Sequence, residues 1–105
     1  MRGGARIACC VPFCRRTIGE AKIAPNSEWV CGKHWPLVPK RLKRNKRLIA
    51  KLIHREMHKH PLFNEYWKMP PGSRARIRAY HLWTIDAAVW ERCKRAAIEA
   101  AGGIR

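Results

Sequence analysis

The sequence predicts a mostly helical protein with one small β element, in which a cysteine-rich N-terminal module precedes a body of two helices. Residues 40–59 and 73–101 carry apolar side chains at helical spacing, and the second run contains no glycine or proline. Residues 1–35 instead hold four of the five cysteines, among turn-forming residues. We therefore expect an αα-hairpin over residues 36–105 that forms one compact unit with the module 1–35.

The first predicted helix covers residues 40–59. Pro39 suits the first turn of a helix, and His60-Pro61 ends it, because the residue before a proline is driven out of the α region. The apolar positions that give this segment its period are Val38, Leu42, Ile49, Leu52, Ile53 and Met57.

The second predicted helix follows a connector, residues 61–72, whose aromatic and apolar side chains indicate a loop packed on the core. Ser73 is the expected N-cap, and Gly102-Gly103 the expected end. The predicted buried stripe consists of Ile77, His81, Leu82, Ile85, Val89, Cys93, Ala96 and Ala100.

The N-terminal module has a different pattern, since short apolar pieces alternate with glycine, proline, asparagine and serine. This pattern is typical of small strands and loops. We expect strands at residues 6–9 and 28–30.

The charge balance is extreme, with 23 Lys and Arg against 7 Asp and Glu, a net charge of +16 in 105 residues. Self-repulsion of this size opposes a compact fold, and a bound phosphate backbone relieves it. Nucleic acid is the first expected partner, with DNA favoured over RNA. An anionic membrane surface ranks second by charge alone and an acidic protein third. No run approaches the ~18 apolar residues that span a bilayer, so we expect no membrane segment.

The first residues, MRGGARIACC, have no apolar stretch long enough for a signal peptide. We therefore expect an intracellular, cytoplasmic protein whose thiols stay reduced. The odd number of cysteines, five, also argues against a disulfide framework and favours metal binding or burial.

The spacing of cysteine and histidine predicts one structural zinc ion. Either Cys9 or Cys10 pairs with Cys14, and after sixteen intervening residues Cys31 pairs with His34. Neighbouring strand residues point to opposite faces, so one of Cys9 and Cys10 is expected to bind, and spacing alone does not choose. The alternative is that these thiols are buried and pack as small hydrophobic side chains.

The stretch CCVPFCRR…EWVCGKHW resembles the small treble-clef zinc module of phage and prophage proteins, which also accompanies HNH-type nucleases. The resemblance covers residues 7–35. It implies the ligands Cys9, Cys14, Cys31 and His34, with Cys10 to spare. Pro36 and Pro39 depart from the family pattern, in which a helix continues straight out of the last ligand pair.

The helix 40–59 carries nine cations against one acidic residue, and it lacks the balancing pairs that most charged helix faces contain. Such a helix suits the phosphates of a duplex, and Asn45 is placed to reach a base edge; a solvated charged face is the alternative. Arg74, Arg76 and Arg78, near the start of the second helix, would meet an anion bound at its N–H groups. The predicted phosphate-contacting residues of the first helix are Lys40, Arg41, Lys43, Arg44, Lys46, Arg47, Lys51 and Arg55.

Catalysis is not expected. The motif HREMH at His54–His58 lacks the glutamate spacing and third ligand of metalloproteases, and no Asp-His pair introduces an HNH pattern. The sequence thus favours a zinc-stabilised protein that binds duplex DNA electrostatically, with a regulatory or architectural role in a phage or prophage setting that the resemblance implies. The alternatives are an interaction protein with an acidic partner and a small HNH-like nuclease.

Overall fold

The computed structural model describes residues 5–23 and 27–102. The chain divides into two compact units, which we call the cysteine unit (Met1–Pro39 with Cys93–Arg105) and the helical unit (Lys40–Arg92). The sequence predicted a boundary at residue 35, with the whole last helix in the second part. In the structure, the end of that helix belongs to the cysteine unit. Within the described residues, no helix combines the length and the apolar character needed to cross a membrane.

Two long helices dominate the fold, as predicted. Helix α1 spans Lys40–Lys59 and helix α2 spans Arg74–Ala101. The backbone N–H of Arg76 donates to the hydroxyl of Ser73 at 3.3 Å, which confirms Ser73 as the N-cap of α2. Before this cap, Pro71 and Gly72 form a turn closed by the N–H of Ser73 on the carbonyl of Pro70, and Gly72 takes a φ of 80°.

The core of the helical unit forms where α1, the connector and the first half of α2 meet. Phe63, only 1% exposed, lies between Ile49 and Ile53 of α1 and Ala79 and Leu82 of α2. The indole N–H of Trp83 donates to the carbonyl of Phe63 at 3.1 Å, so the connector is held by a hydrogen bond as well as by burial. The connector is therefore part of the core, as its composition predicted.

Two ion pairs show that α1 and α2 run antiparallel. Lys46 near the start of α1 lies 2.7 Å from Asp86 of α2, and Glu56 near the end of α1 lies 3.3 Å from Arg78, one of the first residues of α2. Later residues of one helix thus meet earlier residues of the other, which is the hairpin that the sequence predicted.

The buried face of α2 agrees with the predicted stripe in part. Leu82, Val89 and Cys93 are buried as predicted, whereas Ile77 and Ile85 are 47% and 48% exposed. The apolar pattern covers more than one face of α2, so it does not define a single stripe. The face with Ala79 and Leu82 packs into the core with Ile49 and Ile53 of α1, which leaves the two isoleucines in solvent.

The small β element is a hairpin in the cysteine unit. Strand β1 (Arg6–Ala8) pairs antiparallel with β2 (Thr17–Gly19), with Ile7 opposite Ile18. The strand predicted at residues 28–30 is not formed. This segment contacts the rest of the unit through single hydrogen bonds and not through a strand ladder. The indole N–H of Trp29 donates to the carbonyl of Ile7 at 2.7 Å, and the N–H of Cys10 donates to the carbonyl of Trp29. The nearer segment 17–19 pairs with β1 instead, because a short loop closes at a lower entropic cost.

Glu56 is the one buried charged residue of the described chain, and it is surrounded by cations. Arg78, Lys59 and His60 lie 3.3, 3.7 and 3.7 Å from its carboxylate. Burial by itself raises the pKa of Glu56, but the hydrogen bond and charge of Arg78, with help from Lys59 and His60, hold the pKa below its ordinary value of 4.5.

We predict that Glu56 makes the fold sensitive to acid. Its pKa is lower in the folded chain than in the unfolded chain, so its stabilisation is complete above about pH 4.5 and is lost as the pH falls through the folded-state value. Urea unfolding of Glu56→Gln should show a lower midpoint than wild type at pH 7 and a smaller difference at pH 3. Glu65→Gln is the matched control, because Glu65 is exposed and contacts Lys68 alone. A Glu56→Gln midpoint equal to wild type at pH 7 would contradict the prediction.

Candidate metal centre and nucleic-acid interface

Four potential metal ligands converge in the cysteine unit. One ligand atom from each of Cys9, Cys14, Cys31 and His34 lies within 4.8 Å of all the others. The Sγ atoms of Cys14 and Cys31 are 3.8 Å apart, and Nδ1 of His34 lies 3.3 Å from Sγ of Cys31 and 3.8 Å from Sγ of Cys9. A disulfide would bring two sulfurs to about 2.05 Å, so these are free thiols arranged around a common point. The four residues could coordinate one metal ion.

The hairpin and its loop position the first two ligands. Cys9 directly follows β1, and its N–H donates to the carbonyl of Arg16 at 3.0 Å, which closes the loop that contains Cys14. The structure thus resolves the choice that spacing left open, since Cys9 joins the cluster and Cys10 does not. The side chains of neighbouring residues diverge, as expected for extended backbone.

A single turn positions the second pair. The N–H groups of His34 and Trp35 donate to the carbonyl of Cys31 at 3.1 and 2.9 Å, which places Cys31 and His34 on the same side of the turn. A short 3-10 turn, Trp35–Leu37, follows, and α1 begins only at Lys40. The two prolines, Pro36 and Pro39, therefore separate the last ligand from the long helix.

Backbone hydrogen bonds prepare Cys31 for binding. Burial raises the pKa of its thiol, but the N–H groups of His34 and Lys33, together with the side chains of His34 and Cys9, lower the pKa to about 6. Cys31 is thus a thiolate at neutral pH, which is the form that binds a metal ion. Cys9 differs, since burial raises the pKa of its thiol above the ordinary 9.0 although the N–H groups of Val11 and Cys31 oppose the rise.

The predicted phosphate-binding side chains of α1 are mostly exposed. Along one side of the helix, exposed cations recur at Lys40, Arg44, Arg47, Lys51 and Arg55, with exposed Arg41 beside them. Their spacing of three and four residues places them on one face over a length of about 22 Å. Within residues 5–23 and 27–102, none of these six cations forms an ion pair or a side-chain hydrogen bond. We call these six residues the α1 cation stripe.

Three of the other predicted contacts, Lys46, Arg76 and Arg78, have partners inside the protein. Lys46 is held by Asp86, and Lys43 and Asn45 are partly buried on the inner part of α1. Arg78 pairs with Glu56, and the guanidinium of Arg76 donates to the carbonyl of Met69 at 3.2 Å, so both stabilise the helical unit. Arg74 is exposed at the start of α2.

Sequence reasoning missed Phe13. Its side chain is fully exposed in the loop between Cys9 and Cys14, and its backbone has a φ of 68°, in the left-handed region. The sequence VPFC carries only a weak signal of this exposure, since proline favours the second position of a turn and phenylalanine is not the residue that a type II turn favours at its third.

Comparisons of the chain with protein-family models, with curated proteins and with solved structures give no match. The resemblance to treble-clef modules therefore stays a prediction, and the interpretation of the site depends on its own geometry.

We predict that Cys9 binds metal and Cys10 does not. Elemental analysis of purified wild type and of Cys10→Ser should give about one divalent ion per chain, because Cys10 lies outside the cluster. Cys9→Ser should lose most of this metal, since removal of one of four ligands opens the coordination sphere. Equal metal content in the two serine variants would contradict the assignment.

Proposed function

We propose that this protein is a zinc-stabilised nucleic-acid-binding protein whose α1 cation stripe contacts the phosphates of duplex DNA. The observation that carries the proposal is the stripe itself: six exposed cations on one helix face, without ion-pair partners in the described part of the chain. A row of fixed cations releases counterions from a phosphate backbone when it binds, and this release drives association.

The geometry of the cysteine unit supports zinc as the metal. Tetrahedral zinc with Zn–S bonds of about 2.3 Å has sulfur–sulfur edges of about 3.8 Å, and with a Zn–N bond of about 2.05 Å it has sulfur–nitrogen edges of about 3.6 Å. The Cys14–Cys31 separation is 3.8 Å, and the two separations from His34 to sulfur are 3.3 and 3.8 Å. Three thiolates and an imidazole are also donors that zinc prefers.

The metal would be structural. Four protein ligands fill the coordination sphere and leave no position for water or substrate. The hairpin, the loop with Cys14 and the turn at Cys31–His34 are the parts that a treble clef would use, although a 3-10 turn separates them from α1. A reducing intracellular compartment belongs to the proposal, because it keeps the thiols free. A regulatory or architectural role in a phage or prophage rests on the sequence resemblance alone.

We propose no catalytic activity. Several carboxylates are engaged in ion pairs: Glu28 with Lys94, Glu56 with Arg78, Glu65 with Lys68, and Asp86 with Lys46. His54 and His58 lie with their Nε2 atoms 3.2 Å apart, but within the described residues no acidic residue joins them in a metal-binding group.

A second candidate function is binding of an acidic protein. Leu48 is 53% exposed and Met57 is 38% exposed on α1, so apolar side chains accompany its cations. A helix that combines both suits an acidic amphipathic partner. A competition experiment distinguishes the two functions. Random-sequence DNA displaces a bound acidic protein only if the DNA and the acidic protein bind the same α1 cation stripe.

We predict a strong dependence of DNA affinity on salt. If the six cations of the stripe each contact a phosphate, the slope of log affinity against log salt should be about −5 on duplex DNA. Arg44→Gln with Arg47→Gln should reduce the slope by about two, as fluorescence anisotropy over a salt series would measure. Lys46→Gln is the matched control, since Lys46 faces Asp86, and its slope should stay near that of wild type. A slope near zero for wild type would refute the proposal.

A further inference from the structure

Phe13 lies in the loop between Cys9 and Cys14, and none of the described residues buries its ring. Its side chain is 101% exposed, whereas the chain's other phenylalanine, Phe63, is 1% exposed. A phenylalanine ring is favoured inside a protein because burial removes its apolar area from water. Nothing in the fold of the described residues therefore requires a ring at this position.

The backbone also disfavours phenylalanine here. The N–H of Cys14 donates to the carbonyl of Val11 at 3.1 Å, Pro12 occupies the second position of the turn, and Phe13 has a φ of 68°. Because proline cannot adopt positive φ, this is a type II turn, which favours glycine or asparagine at its third position. The turn of Pro70–Ser73 has glycine at that position, Gly72 with a φ of 80°.

Three exposed cations line the same cavity as the Phe13 ring. Phe13, Arg15, Arg16 and Lys33 line one open cavity of about 750 Å³, with the apolar side chain of Ile98 in its wall. Within residues 5–23 and 27–102, no acidic residue pairs with these three cations. We call Phe13, Arg15, Arg16 and Lys33 the knuckle surface.

The negative charge of a metal-loaded centre would offset only part of the positive charge of these three cations. Three thiolates and one divalent ion leave a net charge of −1, whereas Arg15, Arg16 and Lys33 contribute +3, so the surface keeps an excess of positive charge. An exposed ring amid unpaired cations is the composition that binds a base and its phosphates.

We propose that the knuckle surface binds an unpaired base of a single-stranded segment of nucleic acid, with the base stacked on Phe13 and the adjoining phosphates held by Arg15, Arg16 and Lys33. This inference rests on the proposed function, because it assumes a nucleic-acid ligand. A duplex hides the faces of its bases in the stack, whereas an unpaired base presents one. The strained backbone at Phe13 would then be tolerated because this position presents the ring to the base.

Phe13→Asn tests the role of the ring, because asparagine tolerates the left-handed backbone and removes only the aromatic group. In anisotropy titrations, this variant should bind a short thymidine oligonucleotide about tenfold more weakly than wild type. It should bind a blunt duplex as wild type does. Phe13→Tyr keeps a stacking ring and should retain both affinities.

Lys33→Gln should weaken binding of the oligonucleotide. Lys22→Gln is its matched control, since Lys22 is also exposed in the same unit but does not line the cavity. Metal content and melting temperature of Phe13→Asn should equal or exceed those of wild type, which separates loss of the ring from loss of the fold.

The possible outcomes separate this inference from the proposed function. If Phe13→Asn and wild type bind the oligonucleotide equally, the inference is overturned, whatever the duplex affinity. If wild type binds the oligonucleotide through Phe13 but binds no duplex, the inference stands and the duplex role of α1 fails. If wild type binds neither probe, both are overturned.

Discussion

The cysteine unit depends on the meeting of four ligand atoms from two distant turns. Its described N-terminal segment buries few apolar side chains, namely Cys9, Val11, Cys31 and Val38, and two of these are themselves in the cluster. A core of this size supplies little hydrophobic free energy. A structural zinc ion contributes apparent binding energies of about 10–16 kcal/mol in small domains. Coordination would therefore take the place of the missing core and fix the loop that presents Phe13.

The helical unit is subject to a different constraint, because the chain has few negative charges to balance its positive ones. With 7 acidic residues against 23 basic ones, most cations are left without a partner. Glu56 and Asp86 lie at the two ends of the α1–α2 contact and join the helices through Arg78 and Lys46. The acids are thus used on the inner side, and the outer face of α1 keeps its cations unpaired. The same distribution joins the two helices and leaves the α1 cation stripe without acidic partners among the described residues.

The two units would recognise nucleic acid by different chemistry. A stripe of cations on a regular helix reads the charge and spacing of a backbone and carries no base information. A ring on a rigid turn instead reads the exposed face of a base. The second mode requires the turn to be held in place, so the proposed role of the knuckle surface would depend on the metal centre, whereas the proposed role of α1 would depend on the packing around Phe63.

Much of the fold follows from local patterns. Residues close together in the sequence predicted the bounds of α1, the cap at Ser73, the two-helix hairpin and the close cysteine and histidine pairs. This was possible because helices, caps and close ligand pairs depend on nearby residues. The tertiary structure alone decided which cysteine faces the cluster, which segment pairs with β1, and which cations remain free. These outcomes depend on contacts between residues far apart in the chain: Cys9 lies beside His34, Lys46 pairs with Asp86, and Ile85 is exposed because another face of α2 meets α1. Sequence spacing carries no information about such contacts, and the positive φ and full exposure of Phe13 are features of the tertiary structure.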